Sequence, residues 1–549
     1  MAIRFWLTLL SGFLGVSFLG ATDNGNVSKI YQPTHSVGTT VFSITSSSLS
    51  SASTASNGQF VISTSGRYFL STDLMAAPAR SNLACIYINT SDVVLDLGGK
   101  TITLSTSTNQ KNSSAIEIAT GLSNITIMNG TINGKSTLVS TTTGIKANTN
   151  LTNLFIDNVH VVNCATEGIN LNTVTGVVLN NVHLYNNGSQ TNPANTSMAR
   201  GLVLTSCSDI SIIDSTFNKT TAPSAVPAYG IYAAACNNLT MSNIQVCNTT
   251  AATGIAKAIY LSACAGVMCD SVKALRSSST GSLGTSIVVA GIDLAGSTGS
   301  TFSNCIANNG LSTIATSTTY GFRLAEGSNS NSFTNCEAKG NLGGGTTSGF
   351  QLSSSHSNFF QTCLAIGNGG ASRATYGFQS GIDLTTTCSS GFFKACKSIG
   401  NTATKGASYG FTLLGATSST IQACEANGNI ASTKSYGIAL LRTCIKSTIQ
   451  YNTMLANIGT GGAYGFKDFA NNSTALIRGN ISFAHGQTLN SAASAFLSDS
   501  GSMNYFFTYT DAGMHSYNQI KELDLSNIIA QNLITPTWSN ISITQIAIA

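Results

Sequence analysis

The chain has 549 residues, 25 Lys and Arg against 20 Asp and Glu, and a net charge of +5. Charged residues make up only 8%, against roughly 25% in ordinary soluble domains, and no Lys/Arg cluster marks a face for nucleic acid, which excludes that partner. A 42% hydrophobic content, recurring in register, excludes disorder. A uniform Ser/Thr/Asn/Gly/Ile/Leu composition from about residue 85 to 500 argues against the several domains that length alone suggests.

Residues 1–21 read as a secretory signal. Arg4 supplies the positive start, Phe5 to Leu19 the apolar run, and Leu19-Gly20-Ala21 a small-residue cleavage site. The alternative, an N-terminal membrane anchor, asks more of the run than its length gives, since a spanning helix needs about 20 apolar residues. An exported chain with no transmembrane span after processing is expected, placed outside the cell, on its surface or in a periplasm. Residues 22–84 form a Ser/Thr-rich lead and an N-terminal cap, needed because an open solenoid end exposes apolar core and unpaired strand edges.

From residue 85 to 500 the chain repeats. Early strand openings are Gly144-Ile145, Gly168-Ile169, Gly201-Leu202, Gly230-Ile231 and Gly291-Ile292; second strands include Asn153 to Ile156, Gly176 to Leu179, Asp209 to Ile212 and Asn238 to Met241. Later units open on Tyr320-Gly321-Phe322, Ser348-Gly349-Phe350, Tyr409-Gly410-Phe411, Tyr436-Gly437-Ile438 and Tyr464-Gly465-Phe466, and close on Asn341, Asn368, Asn429 and Asn457. Apolar and polar residues alternate with period 2 in each short run, the pattern of a strand with one buried face. One unit holds both Tyr376-Gly377-Phe378 and Gly381-Ile382-Asp383; the spacing to Cys396 favours Gly381 as the register and makes the earlier triplet a loop. Short strands at a fixed period, cornered by Gly and Asn, predict a solenoid of about fourteen three-strand coils, roughly 65 Å long at about 4.8 Å per coil. A column of Asn129, Asn158, Asn181, Asp214, Asn243, Asn304 and Asn335 follows the second strand. Asn tolerates the left-handed backbone of a tight bend, and stacked Asn side chains can bond along the axis.

These features resemble the pectate-lyase-like superfamily of right-handed parallel β-helices. The segments Phe60 to Leu70 and Val94 to Ile102 are similar to the cap and first coil of such proteins. The resemblance implies an all-β right-handed parallel β-helix with N- and C-terminal caps, in a superfamily of lyases, hydrolases, epimerases, tailspikes and non-catalytic binders. Fold does not choose among these.

Fourteen Cys in an exported chain suggest a disulfide framework. Their columns, Cys305/Cys336/Cys363/Cys396/Cys424 and Cys207/Cys236/Cys264, instead predict inward stacks whose parallel side chains do not suit the disulfide dihedral. Buried thiols are expected, with axial disulfides as the alternative. No Cys/His spacing predicts a metal site, and no cofactor is implied.

The residue two after each opening Gly should face solvent, which gives a stripe of Tyr232, Tyr260, Asp293, Arg323 and Gln351 over five coils. In the resembled superfamily this face often lines the substrate groove. Tyr rings stack on sugars, and Arg or Asp bonds hydroxyls or a uronate; the plain alternative is a solvated strand face with a weak ion pair. Hydrolysis needs two carboxyls about 5 to 9.5 Å apart. Asp293 and Asp383, and likewise Glu337 and Glu425, stand three coils apart, too far. The adjacent aspartates, Gly-His-Gly and Arg-x-Lys of the resembled polygalacturonases are absent. Asp293, Arg323, His160 and His183 remain as candidate catalytic groups, the two His in one outward column of adjacent coils. Residues 501–549 break the repeat and are expected to cap the solenoid or attach it. The expected function is recognition of a polysaccharide or surface glycan without catalysis, as an adhesin or binding rod; the alternative is an enzyme acting on an acidic polysaccharide. The oligomeric state is left open.

Overall fold

The computed structural model describes residues 41–45, 48, 59–76, 83–104, 113–134, 142–188, 198–223, 226–252, 254–280, 287–380, 388–441, 444–468, 476–478, 480–483, 505–509 and 515–517. The chain divides into two compact units, Met1–Ser36 and Val37–Ala549, and every described residue lies in the second. The expected leader, the Gly381 to Asp383 segment and the tail beyond Tyr517 fall outside the described residues.

The unit is a right-handed parallel β-helix of about 13 turns. Strands that open on the repeated Gly build one 15-stranded sheet, from Phe60–Ile62 to Gly462–Asp468. The strands that follow, such as Thr301–Ser303 and Ile306–Asn308, share a 31-stranded sheet, because early coils run through the second bend as one long strand, Leu151–Val162. The three-strand coil is a simplification: from Thr221–Ala222 to Ile458–Gly459 each coil gains a two-residue fourth strand, and these form a 9-stranded sheet of their own. Parallel pairing ends in the tail, where Tyr505–Tyr509 pairs antiparallel with His515–Tyr517.

The core is built from columns of like residues. Phe322, Phe350, Phe378 and Phe411 stack at 4.8, 4.7 and 4.7 Å. Phe302, Phe333, Phe360 and Phe393 stack at 4.6, 4.9 and 5.1 Å, and the two files meet edge to face. Each ring removes 150–250 Å² from water, and each aromatic pair adds about 0.5–1.5 kcal/mol beyond that burial. The same stack corrects the irregular unit. Tyr376-Gly377-Phe378 is strand, with Tyr376 opposite Tyr409 and Phe378 opposite Phe411. An inward ring between Phe350 and Phe411 outweighs a uniform distance to the Cys, and the extra residues fall in the segment after Ser380. Gln379, opposite Gln351 and Thr412, therefore takes the column position expected for Asp383.

The bends follow from side-chain chemistry. Asn129, Asn158, Asn181, Asp214, Asn243, Asn304 and Asn335 all have φ between 48° and 58°. Asn158 Nδ2 donates to Asn129 Oδ1 at 3.2 Å and Asn181 Nδ2 to Asn158 Oδ1 at 3.1 Å. The closing Asn residues form a second, fully buried ladder. In it Asn341, Asn368, Asn401 and Asn429 donate in turn to the next Oδ1 at 2.9 to 3.0 Å, ending on Asn457. The opening Gly is steric: a Cβ on Gly321 would stand 2.5 Å from Ala338 Cβ and 2.7 Å from Gly349 O. All fourteen Cys are free and buried. Each thiol of the long column donates to a backbone carbonyl one coil back, as Cys363 Sγ does to Phe333 O at 3.4 Å and Cys396 Sγ to Phe360 O at 3.4 Å.

Candidate functional site

The outward column runs in the predicted register. Tyr232 pairs with Tyr260, Tyr260 with Asp293, Asp293 with Arg323 and Arg323 with Gln351. The expectation that it faces solvent is corrected for part of it: Asp293 and Gln351 are buried, at 0% and 1% exposure, while Tyr232, Tyr260 and Arg323 are half-buried. The cause is a second outward column that period-2 reading misses. The residue before each opening Gly, or before Ala258 where one coil has Ala in that place, also points outward, because the ladder skips that position. This column carries Glu167, Arg200, Tyr229, Lys257, Ala290 and Tyr320. The signal was present in the Tyr that precedes Gly in most late units.

Beside Asp293 this second column holds only Ala290, which leaves room for its neighbours to fold over the carboxylate. Lys257 Nζ lies 2.8 Å from Asp293 Oδ2, and Arg323 reaches Oδ2 at 3.2 Å and Oδ1 at 3.5 Å. Lys257, with a side chain 8% exposed, is pushed down from the usual lysine range by burial, against the pull of Asp293. Its ammonium also sits 3.7 Å from the Tyr260 ring centre, a cation–π contact. Tyr229, Tyr232 and Tyr260 form one cluster with centroids 5.2 to 5.6 Å apart. Burial, then the neighbouring Tyr260 and Tyr232, raise the Tyr229 phenol. Arg200 lies 5.4 Å over Tyr232 and is ion-paired with Glu167. One end of the stripe is thus an aromatic patch edged by cations. The other is a buried ion cluster in which two cations take up both oxygens of one carboxylate. Asp293 is thus bridged by two cations and closed from solvent. Asp383, the nearest other carboxylate expected on this stripe and too far along the axis to pair with Asp293, lies outside the described residues.

His160 and His183 do stand together, opposite each other on adjacent coils with ring centres 4.8 Å apart. Asp157, the carboxylate three residues before His160, is engaged elsewhere: its Oδ1 accepts from Asn180 Nδ2 at 2.7 Å. Glu337 and Glu425 are separately engaged, with Asn308 at 2.7 Å and Lys397 at 2.9 Å. Among the described residues, no three His, Cys, Asp or Glu side chains are grouped to hold a metal ion, and no helix is long and apolar enough to cross a membrane.

Continuous parallel ladders, Asn-lined bends and inward stacks define a right-handed parallel β-helix. No family model matches the chain, and no protein with a curated description does. Among solved structures it is similar to the periplasmic alginate epimerase AlgG, with 13% identity and a TM-score of 0.39 over 63% of this chain and 75% of that one. It is also similar to the A-module of the Azotobacter vinelandii mannuronan C-5 epimerase AlgE4, with 13% identity and a TM-score of 0.29 over 78% and 94%. A third likeness is to DFA-IIIase from Arthrobacter chlorophenolicus A6, with 10% identity and a TM-score of 0.31 over 67% and 87%. Likeness at this level says nothing about substrate or chemistry.

Proposed function

We propose that the chain is an exported rod that engages a polysaccharide or surface glycan through the Tyr232–Tyr260 patch and performs no chemistry on it. The observation that carries the reading is the contrast within one stripe. The half-buried rings keep an accessible surface, with Arg200 over one and Lys257 over the other. The only carboxylate of the predicted stripe is sealed between Lys257 and Arg323 at 0% exposure. Sugar faces stack on such rings, and a part-exposed guanidinium such as that of Arg200 bonds hydroxyls or a uronate. Glycosidic hydrolysis, by contrast, requires a pair of accessible carboxyls.

The test is a glycan array run beside an activity screen on uronate polymers, with the wild type and the Tyr232→Ala and Tyr260→Ala variants. Binding that falls roughly tenfold in either variant, with no new ultraviolet absorbance from unsaturated product, is expected, a loss of about 1.4 kcal/mol. Array signals at background for the wild type sink the glycan reading. Turnover that is abolished by Asp293→Asn replaces it with the enzyme reading.

A further inference from the structure

A second constellation lies on another face, around the two stacked histidines. His is scarce, with 6 in 549 residues, yet His160 and His183 are direct cross-strand neighbours. Both follow the exposed Asn ladder by two residues, and the ladder is interrupted where they stand. Asn181 Nδ2 donates to Asn158 Oδ1 in the ordinary way. The next rung, however, is Asp214, a carboxylate that accepts from Asn243 Nδ2 at 2.7 Å and has no N–H to return to Asn181. Asn181 Oδ1 is therefore left without a ladder donor and is met by His183 Nε2 at 2.9 Å. His183 Nδ1 is held by Thr216 Oγ1 at 2.7 Å. His160 is exposed and has no hydrogen-bond partner among the described residues.

We propose that His160, His183 Nε2 and Asn181 Oδ1 form a binding site for a single divalent transition-metal ion of the copper or zinc kind. Imidazole nitrogens suit these ions, and an amide carbonyl and water complete the shell. A ligating His needs its other ring nitrogen anchored, and Thr216 does this for His183 by turning its hydroxyl to accept from Nδ1–H. The broken rung supplies the rest: Asp214 adds negative charge one coil away and offers no ladder donor to Asn181 Oδ1, whose partner in the metal-free protein is His183 itself.

Calorimetric titration of the full chain with Cu2+, read beside the electron paramagnetic resonance of the bound ion, tests this. The wild type should take up one saturable equivalent whose spectrum carries coupling to two imidazole nitrogens. His160→Gln, an exposed and structurally mild change, should lower affinity roughly tenfold or more and leave one coupled nitrogen. Asp214→Asn gives the ladder an Nδ2 donor to Asn181 Oδ1, so it should weaken Cu2+ several-fold while leaving the urea midpoint unchanged or higher. No saturable uptake by the wild type, or uptake that His160→Gln leaves untouched, overturns the site. Weakening in Asp214→Asn that is matched by a fall in the urea midpoint overturns the role given to the broken rung.

Discussion

The buried Asn ladder offers the sharpest quantitative test of how this solenoid is held. Asn401 is 0% exposed. Its Oδ1 accepts from Asn368 Nδ2 at 2.9 Å and Asn368 N at 3.1 Å, and its Nδ2 donates to Asn429 Oδ1 at 3.0 Å and Ser398 Oγ at 2.9 Å. Asn401→Leu keeps the shape and removes every one of these bonds. The Asn368 amide N–H is then left unpaired in a dry core. Asn368 Nδ2 keeps only Ala338 O, at 3.1 Å. Each buried polar group stripped of its partner costs about 1–3 kcal/mol, and roughly two are stripped, so about 3 kcal/mol remains after the added apolar burial of Leu is credited. Asn243→Gly in the exposed ladder is the control: it loses a bond to Asp214 that water can replace, and Gly accepts the φ of 53° without strain. That change should cost under about 1 kcal/mol. Urea unfolding followed by circular dichroism, with the slope checked for equality between variants, measures both. Equal midpoints for the two variants, or an Asn401→Leu protein as stable as wild type, would refute the claim that the interior ladder carries more of the stability than the exterior one.

Three further outcomes follow from the same structure. Burial pushes the Cys85 and Cys164 thiols up to about 12, and all fourteen Cys are buried and free, so a thiol reagent should find almost none in the native protein and fourteen in denaturant; fewer in unreduced, denatured protein would mean disulfides. Gly321→Ala should cost about 1–3 kcal/mol by overpacking against Ala338, whereas Gly327→Ala, at φ +81° with nothing within 4 Å, should cost about 1–2 kcal/mol from backbone strain alone; a larger loss at Gly327 would contradict the steric account of the opening Gly. His183 is held below its ordinary value of 6.5 by burial and by His160, so the unfolded chain binds the proton more readily in the window just under pH 6.5. Stability should therefore fall as the pH drops through that window, and His183→Gln should flatten the slope of urea midpoint against pH; an unchanged slope would remove His183 as its source.

The columns were legible in the sequence because a parallel solenoid stacks residue on residue at one spacing. A repeat in Gly-Phe, Cys or Asn becomes a stack in space with no further information, and the outward register Tyr232–Tyr260–Asp293–Arg323–Gln351 followed from the same rule. Three things were decided only when the chain closed on itself. The Phe350–Phe378–Phe411 stack placed Tyr376-Gly377-Phe378 in the sheet, because ring packing outweighs loop length. The position that the ladder skips, Gly in most coils and Ala258 beside Lys257, turned a second column outward, so that Lys257 came to lie on Asp293 and closed the carboxylate from solvent. The rung at Asp214 left Asn181 facing His183, a contact between residues that no spacing marks as partners. Periodicity specifies which residues share a column. Which of them are covered, and by what, depends on the lengths and directions of side chains from neighbouring columns, and those meet only in the folded coil.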